Sequence, residues 1–440
     1  MNRMDSRVSK KHYERLSRDA RSLPVTNATH DSIISRRQLL QQAGGGAGSL
    51  ALAALMAGES HAARPFHAPQ NTHFKPRAKR VIWLFMHGGP SHVDLFDPKK
   101  ALDEYAGKPV PDSFGAVMTR RDVARNPLMP AVKPYKKFGE SGLPVSTMLP
   151  EIGSCADDLC VIRSMHGNSV NHPQSVYQMN TGSILTGRPS FGSWLAYGLG
   201  TENQNMPAFV VLPDPRGGIK GGPPAWGSGF LPAAYQGITI RPGEHPILDL
   251  KPQPGVKAGE QLKTLKLIQD FNHIYARQQP HDDELEARIA SYELAFRMQT
   301  EAPELVDISE ETDATHKMYG LHQPHTSDFG RRCLLARRMI ERGVRFVQVY
   351  SGDTGGWDAH RHVINNHGQN CGETDLPVAG LLRDLKQRGL LEDTLVIWGG
   401  EFGRMPMSEQ GNGRDHNPWG FCSWLAGAGV QGGRAIGATD

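Results

Sequence analysis

Four short stretches of the chain concentrate the residue types that bind metals or move protons. The first is His87-Gly88-Gly89-Pro90-Ser91-His92-Val93-Asp94, with Asp97 close behind. The second is Gly355-Gly356-Trp357-Asp358-Ala359-His360-Arg361-His362, and the third is Gly399-Gly400-Glu401-Phe402-Gly403-Arg404. The fourth is Arg414-Asp415-His416-Asn417-Pro418. Carboxylates mixed with imidazoles suit a borderline divalent ion such as Zn, Mn or Fe better than an all-oxygen Ca site. The neighbouring glycines let the backbone turn sharply and approach a ligand closely. Any one of these histidines alone reads as well as a surface or hydrogen-bonded core residue; the signal is the recurrence of the pattern. A further stretch, His166 to Gly182, places His172 at a turn that enters a helix at Ser175. It reads equally as a helix N-terminus with local caps.

Positioning such residues requires elements that end together. Val81 to Met86 is an unbroken apolar run between Arg80 and the first cluster, the pattern of a strand buried on both faces. Val344 to Tyr350 and Thr394 to Trp398 are two more strands, each leading into a cluster, and 157–164 is a shorter candidate. Ligands gather at the carboxyl ends of strands in open parallel sheets. Helices are expected over 261–278, 283–299 and 327–342, with Ser327 as a cap for the last. A helix over 376–388, stopped by Gly389, completes a βαβ unit between the second and third strands. The Gly/Pro-dense stretch 203–254 reads as ordered loop. Strands alternating with helices argue an α/β fold with a mostly parallel central sheet and helices on both faces.

Composition permits this and excludes other classes. The 440 residues are 38% hydrophobic and 21% charged, enough for a substantial core. No repeat of about 20–50 residues appears, so a solenoid or propeller is not expected, and no run of about 18 apolar residues appears, so the chain is expected not to span a membrane. Residues 1–62 carry nine Lys/Arg and five Asp/Glu, which accounts for the whole net charge of +4. The remainder is balanced, so no general attraction to nucleic acid is expected. Arg36-Arg37, an Ala/Gly-rich stretch from Ala43 to Ala57 and the small-residue site Ser60-His61-Ala62-Ala63 read as a twin-arginine export signal. The expectation is a signal at 1–62, a linker at 63–80 and a periplasmic or cell-envelope destination. Five cysteines with no Cys-x-x-Cys spacing read as buried free thiols.

The pieces GGPSHVDLFDPK (88–99), NHPQSVYQMNTG (171–182), SYELAFRMQ (291–299), GGWDAH (355–360), GGEFGR (399–404) and GRDHNPWGF (413–421) resemble the domain-of-unknown-function 1501 family. These are twin-arginine-exported, sulfatase-like proteins in or beside the alkaline-phosphatase/sulfatase superfamily. The resemblance runs from about residue 80 to the end. It implies an alkaline-phosphatase-like three-layer sandwich over 81–440, an insertion at about 203–342, and a further strand and helix beyond Asp440. It places His172 where sulfatases carry their nucleophile, with Ser175, Thr181 and Gly182 matching. His172 would then serve as phosphoryl acceptor, general base or metal ligand. It implies a divalent metal (Zn, Mn or Ca) held by some combination of His87, Asp358, His360, Glu401 and His416, with apolar Phe402 at a usual ligand position. Arg404 or Arg163 would bind an anionic oxygen. The implied function is a metal-dependent hydrolase of phosphate or sulfate esters that meets the twin-arginine machinery on export. Two alternatives stand beside it: a non-catalytic envelope protein binding, for example, sulfated polysaccharide, and a structural partner of a co-exported membrane protein.

Overall fold

The computed structural model describes residues 68–439 except 71, 116, 242–257, 279–282 and 353–354. The expected signal at 1–62 and the start of the linker lie outside the described residues.

Eight strands form the central sheet: β1 (Arg80–Met86), β2 (Cys160–Met165), β3 (Phe209–Leu212), β4 (Ile238–Thr239), β5 (Phe346–Ser351), β6 (Thr394–Gly399), β7 (Phe421–Ala426) and β8 (Arg434–Ile436). Their order is β8-β2-β7-β6-β1-β5-β3-β4. β6, β1, β5, β3 and β4 pair in parallel, and so do β2 and β8. β7 alone opposes both of its neighbours. The sheet is thus mixed but mostly parallel.

β1 shows why its sequence lacks alternation. Ile82, Leu84 and Met86 face one layer, packed with residues of α5 (Ser327–Glu341) and α6 (Val363–Gln387). Val81, Trp83 and Phe85 face the other, where α1 (His172–Thr181) and α2 (Phe191–Leu199) contribute Val176 and Leu195. Both faces are covered, so every position is apolar. Each fully buried aliphatic or aromatic side chain of this kind contributes about 1.5–3 kcal/mol. Two further helices, α3 (Ala258–Gln278) and α4 (Asp283–Val306), contact each other.

Several expectations shift. Phe209–Leu212 is a fully buried strand inside the stretch expected as loop, and β4 lies there too. Pro207 and Pro213 bracket so short a run that its pattern is lost among turn signals. Within 203–342, β3 and β4 thus join the sheet and α5 packs on its face. α6 begins at Val363, well before the expected start at Leu376. Pro377 reads as a first-turn proline yet sits inside the helix, where it forfeits one backbone bond. Buried Val363, His367, Cys371 and Thr374 line the upstream turns and supply the packing that local propensity lacks. α1 begins at His172, and Gly182 ends it at φ +74°. All five cysteines are buried and free.

Candidate functional site

β1, β5 and β6 end level with one another. Met86 pairs with Ser351, and Phe85 with Gly399. The chain leaving each strand therefore enters the same space: His87 after β1, Asp358 after β5 and Glu401 after β6. Gly88 makes the first exit possible. Its φ is +115°, and a Cβ there would lie 2.4 Å from the Trp357 nitrogen. His416 arrives on a two-stranded ribbon, directly opposite Arg404. His172 arrives on the first turn of α1.

Asp358 is the hub. His416 Nε2 lies 3.0 Å from its Oδ1 and His172 Nε2 lies 3.0 Å from its Oδ2. His360 Nε2 stands 3.1 Å from Oδ1, a buried nitrogen that makes no hydrogen bond among the described residues. Arg404 donates to Oδ1 at 2.8 Å and Lys220 Nζ to Oδ2 at 3.0 Å. Burial alone would raise the Asp358 pKa. The imidazoles of His172, His360 and His416 and the Arg404 charge outweigh it and hold the carboxyl far below the usual carboxylate range.

The far nitrogens of the three rings decide their tautomers. His172 Nδ1 is 2.6 Å from Glu401 Oε1, His360 Nδ1 is 2.5 Å from Glu409 Oε2, and His416 Nδ1 is 2.6 Å from the Val170 carbonyl. None of these partners can donate while the carboxylates are ionised, so each Nδ1 carries the proton. A neutral ring then turns a bare Nε2 lone pair toward Asp358. Burial first, with the Arg404 charge, presses the His416 pKa down to about 2 against the hydrogen bond to Asp358, so this ring is neutral at ordinary pH. Lone pairs facing a carboxylate at 3 Å repel unless a cation lies between them. His172, Asp358 and His416 offer donor atoms within 4.8 Å of one another. Two imidazoles and one carboxylate, with each far ring nitrogen tied to an acceptor, fit a divalent metal of the Zn or Mn type.

Glu401 plays a different part. Both its oxygens accept the Gly88 N–H, at 2.9 and 3.1 Å, and Oε1 also takes His172. Its pKa is lowered: burial opposes ionisation, but the neighbouring His87 and the His172 hydrogen bond prevail. His87 Nε2 accepts the Lys220 backbone N–H at 3.1 Å. His87, His172 and Glu401 also lie together as potential donors. Phe402, 1% exposed, packs its ring against His172 and His416 at 4.9 and 4.3 Å.

All seven residues singled out in the sequence as site candidates thus meet here. The sequence reading leaves His172 as phosphoryl acceptor, general base or metal ligand, and gives Arg404 an anionic oxygen to bind. His172 has both nitrogens engaged and none left over to attack a substrate. Arg404 is fully buried and donates to the carbonyls of Gly88, Gly89 and Arg414 as well as to Asp358, which makes it a clamp on the exit loops rather than an exposed anion receptor. Arg163 lies elsewhere, donating to the Phe96 carbonyl beside Asp97. Sequence reasoning missed Lys220 and Glu409. Lys220 sits in Gly217-Gly218-Ile219-Lys220-Gly221-Gly222, and a lone cation in so glycine-rich a stretch was the available signal. Glu409 had no local signal.

A sequence model described as a protein of unknown function (DUF1501) matches residues 78–440. No curated protein matches the sequence. Among solved structures, alkaline phosphatase from the Antarctic bacterium TAB5 aligns at 10% identity and a TM-score of 0.30, over 80% of this chain and 92% of that one. A sulfatase from a Pseudoalteromonas species aligns at 11% identity and a TM-score of 0.31, over 82% and 64%. Phosphonate monoester hydrolase of Agrobacterium radiobacter aligns at 13% identity and a TM-score of 0.28, over 82% and 70%.

Proposed function

The chain belongs to the DUF1501 family, and from that premise we propose that it is an exported, metal-dependent hydrolase of phosphate or sulfate esters whose centre is Asp358. One observation carries the reading: the Nε2 atoms of His172, His360 and His416 converge on Asp358 while each Nδ1 is tied to an acceptor. His172, Asp358 and His416 would hold the ion, with His360 beside them. When bound, a divalent metal polarises an ester oxygen and lowers the pKa of a water molecule. Glu401, Glu409 and the Val170 carbonyl fix the ring orientations and keep the Nδ1 protons in place. Arg404 holds the carboxylate of Asp358 against the exit loops. Phe402 excludes water from one side of His172 and His416. No side chain here serves as nucleophile: His172 is engaged at both nitrogens, and the buried Ser175 hydroxyl donates to the Ser169 carbonyl at 2.7 Å. Water is the attacking group.

A second reading, a non-catalytic envelope protein that binds sulfated polysaccharide, is favoured by Phe402, whose apolar ring occupies space beside the imidazoles. Metal analysis and a screen of aryl phosphate and sulfate esters with added Zn, Mn or Ca separate the two. The hydrolase reading expects about one metal per chain and turnover, both lost in Asp358→Asn. Glu401→Gln should weaken metal affinity about 10- to 100-fold by loosening His172. Stoichiometric metal with no turnover of any ester selects the binding protein. Wild-type activity in Asp358→Asn rejects the site.

A further inference from the structure

The two-stranded ribbon that brings His416 to the centre has a second face, and a cavity of about 590 Å³ lies against it. Within the ribbon His416 pairs with Arg404, and both side chains reach Asp358. Asn417 pairs with Gly403, and Asn417 lines the cavity. Successive strand residues point to opposite faces, so the ribbon is a wall between the Asp358 centre and the cavity. The cavity floor is apolar: Val93, Leu102, Leu128, Met405 and Met407 are buried there as one cluster. Its rim is apolar yet wet, since Phe114 is 62% and Met118 67% exposed, and Tyr105 and Trp419 are exposed as well. The volume is that of a site for one drug-sized molecule.

Two polar side chains on the wall narrow the ligand class. Lys99 Nζ is 2.9 Å from Asp97 Oδ2 and also donates to the Thr439 carbonyl, so its charge is already met. His92 is buried, and its Nδ1 has no hydrogen-bond partner among the described residues. A Cβ on Gly403 would lie 2.5 Å from Nδ1, so this nitrogen abuts an α-carbon where a proton would find no acceptor. Burial, above all, keeps the ring neutral. The proton therefore sits on Nε2, which makes that nitrogen a donor for a group in the cavity. The thioethers of Met118, Met405 and Met407 and the rings of Tyr105, Phe114 and Trp419 favour a flat aromatic ligand, because sulfur and ring edges both pack well against aromatic rings.

We propose that this cavity binds an uncharged aromatic molecule whose carbonyl or ether oxygen accepts a hydrogen bond from His92, at a site separate from the Asp358 centre. The site does not depend on the ester-hydrolase reading. A phosphate or sulfate head has no place in it, because Lys99 on its wall is already paired.

Prodan, an uncharged naphthyl ketone whose fluorescence shifts to the blue in apolar surroundings, tests this on the full chain. It should bind at about one molecule per chain, with Kd on the order of micromolar, with or without Zn or Mn. Phe114→Ala and Met118→Ala, both at exposed positions, should each weaken binding about 3- to 10-fold. Ala101→Trp, which fills the cavity from an exposed wall position, should abolish binding with metal stoichiometry unchanged. His92→Phe keeps a ring in place and should weaken Prodan about 3- to 10-fold, yet leave dimethylaminonaphthalene, which lacks the carbonyl, unaffected. Equal losses of both probes in that variant would overturn the assigned hydrogen bond. No blue-shifted binding by the wild type, or binding that none of these substitutions changes, overturns the site. So does a dimer that Met118→Ala dissolves in sedimentation while Prodan stays free, which would give the cavity to a second copy of the chain.

Discussion

Asp358 gathers more partners than any other carboxylate of the site, and the order around it comes from the groups behind the imidazoles. A histidine fixed at Nδ1 by a carboxylate or carbonyl has one tautomer and one direction, so its remaining nitrogen is aimed without help from a ligand. Other buried histidines show what the same burial does away from the centre. His367 Nε2 accepts the Ser91 N–H at 2.8 Å. Burial foremost, then the Arg404 and Arg414 charges, press its pKa from 6.5 to about 3 against the pull of Asp94. His92 is pressed to about 4, mainly by burial. Both are neutral in the fold, while in the unfolded chain they protonate near pH 6.5. Between those values the unfolded state binds more protons, so this contribution is complete above about pH 6.5 and is lost as pH falls toward 4. The denaturation midpoint should therefore decline below pH 6.5. His367→Gln, whose amide oxygen can accept the Ser91 N–H without titrating, should show a shallower decline. Parallel profiles for the two proteins would dismiss this account.

At the level of elements, the site depends on strands that stop together and loops that leave at once. The Gly88-Gly89 exit shows how tight that requirement is. Gly88 sends its N–H to Glu401 and its carbonyl to Arg404, at a φ that disfavours a side chain. A Cβ on Gly89 would lie 2.5 Å from the Phe402 ring. Gly88→Ala should cost about 2 kcal/mol or more, combining positive-φ strain with displacement of the Trp357 backbone. Thermal or chemical denaturation measures it, and a midpoint within error of wild type would contradict the described exit. β1, β5 and β6 were readable as strands because burial on both faces makes each a continuous apolar run. β3 was not, being four residues between prolines, and neither was the first half of α6, whose polar upstream turns are stabilised by what they pack against.

For the whole molecule, the eight-stranded sheet with helices on both faces brings to one edge residues more than three hundred positions apart. Among the described residues no helix is long and apolar enough to cross a membrane. Export remains a proposal carried by Arg36 and Arg37. In the full chain, Arg36→Lys with Arg37→Lys should retain the protein in the cytoplasmic fraction, whereas the parent chain fractionates with the periplasm or envelope. An unchanged distribution would remove the twin-arginine assignment. The amino-acid order by itself determined the α/β class, the strands that end in polar clusters and the identities of the seven clustered residues, because apolar runs and glycine-flanked His/Asp/Glu groups are local patterns. Only the tertiary structure decided that His172 is held at both ends, that Arg404 is a clamp, and that Lys220 stands against Asp358. Those assignments depend on which distant carboxylate or carbonyl stands behind each side chain, and sequence spacing carries no record of a partner two or three hundred residues away.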